Sequence, residues 1–174
     1  MSNSSSSLSF PEAIATTQSL MTKMTGNKLN EAEIEQVVAS IVSTNSGGRG
    51  FFVSYLTSDI SLADHPSVGV INGLKTAPEL VSKLLVKNLA MSSAMAVTHR
   101  RNNDEKNVKG SDRVYRRTVN LMQQVKLDLV TAELQKLQTT ITTGEGDYTD
   151  FLERWDYDDE QQEVIQKAIS DSLI

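Results

Sequence analysis

Three arginines, Arg113, Arg116 and Arg117, recur at the i, i+3, i+4 spacing that sets side chains on one helix face. Ser111 reads as the cap of that helix, which places all three in its first two turns. Positive charge there opposes the helix dipole, so the cluster calls for an anion, and the free amides of the same turn would add to its site. The anion is either external, as a phosphate, a nucleic-acid backbone or an acidic protein surface, or it is the chain's own acidic tail folded back. Arg100 and Arg101 close the preceding helix, where the dipole favours cations without any functional demand. Together with His99, Lys109 and Tyr115 these residues form a basic elbow between two long helices.

The charge pattern sharpens that reading. From His99 to Arg117 there are seven Lys or Arg against three Asp or Glu, a net of +4. From Gly144 to Ile174 there are ten Asp or Glu against Arg154 and Lys167, a net of −8. The whole chain carries −5, with a sequence pI near 5.1, and only Tyr115 interleaves an aromatic with the basic residues. Nucleic acid is therefore disfavoured as a partner.

Other stretches carry weaker chemistry. Gly47-Gly-Arg49-Gly50 could present amides to phosphate, but no Lys-Ser/Thr follows and no strand precedes, so it reads as an irregular loop. Asp156-Tyr-Asp-Asp-Glu160 fails as a calcium loop, with Gln161 where Gly is needed and Lys167 where Glu is needed. It reads as a solvated acidic face. There is no cysteine, and the two histidines, His65 and His99, have no partner nearby in sequence. These absences leave no metal site, no cofactor and no catalytic constellation to expect, and a non-enzymatic protein is favoured. Trp155, with Phe151, Tyr148 and Tyr157, either anchors the tail or offers a second contact, as does Arg49. A pocket beside the small-residue stretch Ala90–Val97, with Asn88, Ser92, Ser93 and Thr98 as its polar groups, is the small-molecule alternative.

The elements that must position these residues are all helical. Ser9 with Glu12 and Asn30 with Glu33 are capping boxes, and Gly26 stops the first helix. Phe51–Leu56 has no alternation and reads as a short helix, and Pro66 opens another through Leu74. Thr76-Ala-Pro-Glu79 opens a helix over about 77–101 that is apolar on most sides and hence a core helix. Asn102–Gly110 reads as a charged loop. The next helix, 112–143, would run roughly 48 Å, longer than a globule of this size is wide. Its seam of Leu127, Val130, Leu134, Leu137 and Ile141 suits a coiled-coil-like contact and a homodimer. Two short helices finish the tail, the second boxed by Asp158 and Gln161.

The expectation is an all-α, single-domain bundle over residues 9–174, with about seven helices, the two long ones at its centre, and a disordered tail over 1–8. No run of about 18 apolar residues points to a membrane span and no signal peptide is visible, so a cytoplasmic protein is expected. Its function is read as docking a protein with an acidic surface through His99, Arg100, Arg101, Lys109, Arg113, Tyr115, Arg116 and Arg117.

Overall fold

Capping boxes start three of the described helices where the residue types say they should, at Ser9, Asn30 and Asp158. The computed structural model describes residues 7–173, and the disorder expected of 1–8 falls, for residues 1–6, outside them. Among the described residues there are nine α-helices rather than about seven, and no strand. They are α1 (Phe10–Thr25), α2 (Glu31–Ile41), α3 (Asn45–Thr57), α4 (Val68–Lys75), α5 (Pro78–Arg101), α6 (Glu105–Val125), α7 (Asp128–Thr143), α8 (Thr149–Trp155) and α9 (Asp159–Ser172), with a 3-10 turn at Ser61–Asp64. The fold class is all-α. Two compact units divide the chain, one up to Leu84 and one from Leu85, and the boundary falls within α5.

In the first unit, Ser9 Oγ accepts the Glu12 amide at 3.2 Å while Glu12 Oε1 accepts the Ser9 amide at 3.3 Å. Asn30 and Glu33 repeat the arrangement on α2. The glycine-rich segment expected as a loop is instead the first turn of α3, with Thr44 Oγ1 accepting the Gly47 amide at 3.1 Å. Close packing overrides helix propensity here. A Cβ on Gly50 would stand 2.5 Å from the Ala13 Cβ and 3.0 Å from the Phe10 carbonyl oxygen, so only glycine lets α3 approach α1. α4 meets α2 in the same manner: a Cβ on Gly73 would lie 2.6 Å from the Val38 Cβ. Ser67, not Pro66, caps α4, and Glu31 Oε2 accepts the Gly69 amide at 2.7 Å. Phe51, Phe52, Tyr55 and Leu56 are fully buried, confirming the helical reading of that stretch; each contributes roughly 1.5–3 kcal/mol by burial.

The second unit departs further from expectation. α6 begins at Glu105, with Asp104 Oδ1 accepting the Asn107 amide at 3.2 Å, so the charged stretch 102–110 is mostly helix. Gly110 lies inside that helix, with open space where its Cβ would be. The single helix expected over 112–143 is two. It breaks at Lys126, which is left-handed at φ 48°, and at the extended Leu127. The reason is a slip in the apolar stripe. Leu121 and Val125 are buried, but the continuation at Asp128 and Leu129 is exposed, whereas Val130, Leu134 and Leu137 are buried. Changing the phase of the stripe requires leaving the helix. The seam offered for a homodimer is thus largely interior, on the helix that packs against α9.

Along α5, Leu85, Val86, Leu89, Ala90, Ala94, Ala96 and Val97 are buried, as expected of a core helix. By length and composition α5 is also apolar enough to cross a membrane, which corrects the view that no stretch approaches that length; 61% of its apolar window is buried inside the protein.

Two alanine substitutions test the role of glycine. Gly50→Ala is expected to lose about 1–3 kcal/mol, because a Cβ there meets α1. Gly110→Ala should gain roughly 0.5–1 kcal/mol, since the added Cβ meets nothing in a helix interior. Urea denaturation of the two variants measures both, and a Gly50→Ala protein as stable as the parent would refute the close-packing account.

Candidate functional site

The basic elbow is assembled differently from the pattern read in sequence. Because α6 starts at Glu105, Arg113, Arg116 and Arg117 sit in its third and fourth turns, and the helix dipole no longer opposes their charge. Arg117 is only 3% exposed and Arg113 is half-buried, while Arg116 is exposed. The shared face therefore points largely inward rather than toward an external anion.

Arg100 and Arg101, at the C-terminus of α5, both reach solvent. Arg101 Nη1 donates to Asp158 Oδ2 at 2.6 Å, and Nη2 donates to Asp158 Oδ1 at 3.2 Å and to Glu160 Oε2 at 2.6 Å. One guanidinium holds two carboxylates. Those hydrogen bonds raise the Arg101 pKa, and the same guanidinium holds Asp158 below the usual carboxylate range. Arg100 donates to both oxygens of Asp112, at 3.3 and 3.4 Å, with both partners about half exposed. Lys109 is exposed and shares a shallow concavity of about 480 Å³ with Arg100, Asn103, Asp104, Glu105 and Val108. His99 is half-buried, and its carbonyl accepts the Asp104 amide at the turn.

The acidic tail reaches the elbow because α9 is placed on α5 by its capping box. Asp158 Oδ1 accepts the Gln161 amide at 2.9 Å, and Gln161 Oε1 accepts the Asp158 amide at 3.1 Å. Gln161 Nε2 then donates to the Ala94 carbonyl at 3.2 Å and to Thr98 Oγ1 at 3.0 Å. An ionised glutamate could close the box but could not make those two donations. Ile165, Ala168 and Ile169 bury the face behind it.

A groove of about 290 Å³ runs between α5, α6 and α9. Ser92, Ser93, Ala96 and Ala168 line it together with Arg100, Asp112, Tyr115, Lys167 and Asp171. Both serine hydroxyls donate to α5 carbonyls, leaving lone pairs to accept. The Tyr115 phenol is raised by burial, then by Asp171. Thr98, named with the serines for a pocket, is instead an acceptor for Gln161.

A second polar cluster is structural. Glu133 is 5% exposed, and its carboxylate accepts from the Tyr148 hydroxyl at 2.6 Å and from Lys136 at 3.2 Å. Burial and then Glu133 push the Tyr148 phenol up, and burial pushes Tyr157 up to about 12. Trp155 is 42% exposed under the Arg154 guanidinium, at 5.8 Å. Arg49 belongs to the first unit, its guanidinium 5.2 Å over the Phe10 ring. Among the described residues no group of three or more His, Asp or Glu could hold a metal ion.

Sequence reasoning missed Asp112, Asp158, Glu160, Gln161 and Lys167 as members of the site. The opposite charges of the elbow and tail were a signal for the pairing, but not for which carboxylate would arrive.

Residues 9–172 match the family described as uncharacterised conserved protein UCP020893. The chain belongs to that family. No curated protein and no solved structure matches it.

Two measurements test the buried cluster. Tyr148→Phe leaves Glu133 one hydrogen bond short and should cost about 1–3 kcal/mol in denaturation experiments. Tyr157, neutral and buried in the folded protein, keeps its proton to about 12, against about 10 for an unfolded tyrosine. The folded state then binds more protons, so this contribution is complete below about pH 10 and is lost as pH rises toward about 12. Urea midpoints at about pH 8 and about pH 11 should show a fall that Tyr157→Phe makes smaller; an equal fall in the variant contradicts the assignment.

Proposed function

We propose that the protein is a non-enzymatic interaction protein that docks an acidic partner at the α5–α6 turn. The observation that carries this reading is Arg101, a half-exposed guanidinium that already gathers two carboxylates. Arg100, weakly paired in an exposed position, and Lys109 extend the same cationic end. Exposed pairs of this kind exchange with outside carboxylates at little cost. Arg113 and Arg117 enter this reading only as support for the turn, since their side chains lie mostly inside. The partner class is a polypeptide surface rich in Asp and Glu.

A second reading places a small carboxylate-bearing molecule in the groove beside α5. The groove supports it with hydroxyl acceptors at Ser92 and Ser93 and cations at Arg100 and Lys167 on its walls. Its volume is near the lower end of small-molecule sites, about 300 Å³.

One titration separates the two. The isotope-labelled protein is followed by amide NMR while a glutamate-rich peptide, or free glutamate, is added. For peptide docking, shifts concentrate at residues 99–109, and Arg100→Glu with Lys109→Glu weakens binding by about tenfold or more. For the small-molecule reading, free glutamate shifts Ser92, Ser93 and Ala168 and leaves Lys109 unmoved. A wild-type spectrum unchanged by either addition would end both readings.

A further inference from the structure

The contact between Arg101 and the start of α9 has the form of a bound ligand. Asp158 meets the guanidinium with both oxygens, and Glu160 takes the remaining face of Nη2. The Arg101 side chain is 44% exposed, against 47% for Asp158 and 62% for Glu160. Two negative charges on one positive charge leave the assembly short of a cation, so the pairing is not driven by simple charge balance. Nor does α9 need it to stay in place. Gln161 ties that helix to Ala94 and Thr98, and Ile165, Ala168 and Ile169 are buried behind it.

We propose that Asp158-Asp159-Glu160 is an internal occupant of the acid-docking site, and that the partner it excludes presents an Asp-x-Glu segment of its own. The proposal rests on the acid-docking reading and adds to it both the recognition pattern and a means of restraint. The spacing follows from the geometry. Asp158 is the N-cap and Glu160 the second residue of α9, so the two carboxylates project together from one helix start. A partner's helix start, or an extended acidic segment that adopts one, offers the same pair. The internal segment is always at hand, so a partner binds only in the fraction of molecules whose Arg101 is open.

The experiment removes the occupant without removing the cap. Asn caps a helix as well as Asp does, so Asp158→Asn with Glu160→Gln keeps α9 capped while discharging both groups. The full-length protein and this variant are titrated with a capped peptide containing a single Asp-Asp-Glu in a Gly-Ser background. The same peptide with Asn-Asn-Gln serves as control. The expected result is binding about tenfold tighter to the variant, with the Arg101 Nε–H resonance shifting on addition of the acidic peptide alone. Equal affinity for the two proteins overturns the internal-occupant proposal but leaves acid docking standing. Binding by neither protein overturns acid docking itself, and this proposal with it. Should the double variant lose the dispersed spectrum of a folded protein, Glu160→Gln alone is used, since that side chain makes no capping bond. A gain of several fold in that variant supports the proposal, and no gain overturns it.

Discussion

Arg101 and the two carboxylates it gathers join the parts of the second unit that carry opposite charge. The tail from Gly144 is strongly acidic and the stretch His99–Arg117 is basic, and each would repel itself in isolation. The end of α5 settles both by receiving the start of α9. Behind that seat Gln161 lies against α5, Val164, Lys167, Ala168 and Asp171 line the groove, and Arg100 faces Asp112. The surface read as functional thus combines one exposed polar contact with the apolar face that backs it.

Elsewhere in the same unit the charge is handled by burial. Glu133 is enclosed with a tyrosine hydroxyl and a lysine, and Tyr148 also reaches back through its amide to Thr140 Oγ1. A buried carboxylate with two donors is satisfied, and it holds the turn between α7 and α8 in register. This contrast separates a buried acid, Glu133, from the solvent-facing ones, Asp158 and Glu160.

Much of the fold was legible where the signal is local. The boxes at Ser9, Asn30 and Asp158 appear as read, because a cap depends on residues three apart and little else. The candidate site was legible only in outline. Arg100 and Arg101 are named in the sequence as members of the elbow whose charge the helix dipole already explains, with the weight on Arg113, Arg116 and Arg117, yet they carry the exposed contacts. Arg113, Arg116 and Arg117 were singled out for a helix start that lies eight residues before the first of them. Asp104, with Asn107 three residues on, was an available start signal; Gly110 drew attention away from it. The slip from Val125 to Val130 was hidden, because Leu129, four residues after Val125, continues the stripe in sequence and only the structure leaves it exposed.

What the sequence determined by itself is the helical class, most helix starts and the polarity of charge along the chain, since these follow from spacing and composition over a few residues. Only the tertiary structure decided that Gly47–Gly50 is helix, because the cost of glycine in a helix is recovered when α3 closes on α1. It likewise decided that Arg101 meets Asp158 and Glu160. That choice depends on the register in which α9 packs against α5, and the register is set by the buried faces of both helices, not by the charges. Of the three arginines at the right spacing, Arg117 turned inward and Arg113 did so in part, while Arg116 stayed exposed. The one that spacing did not mark, Arg101, holds the acids.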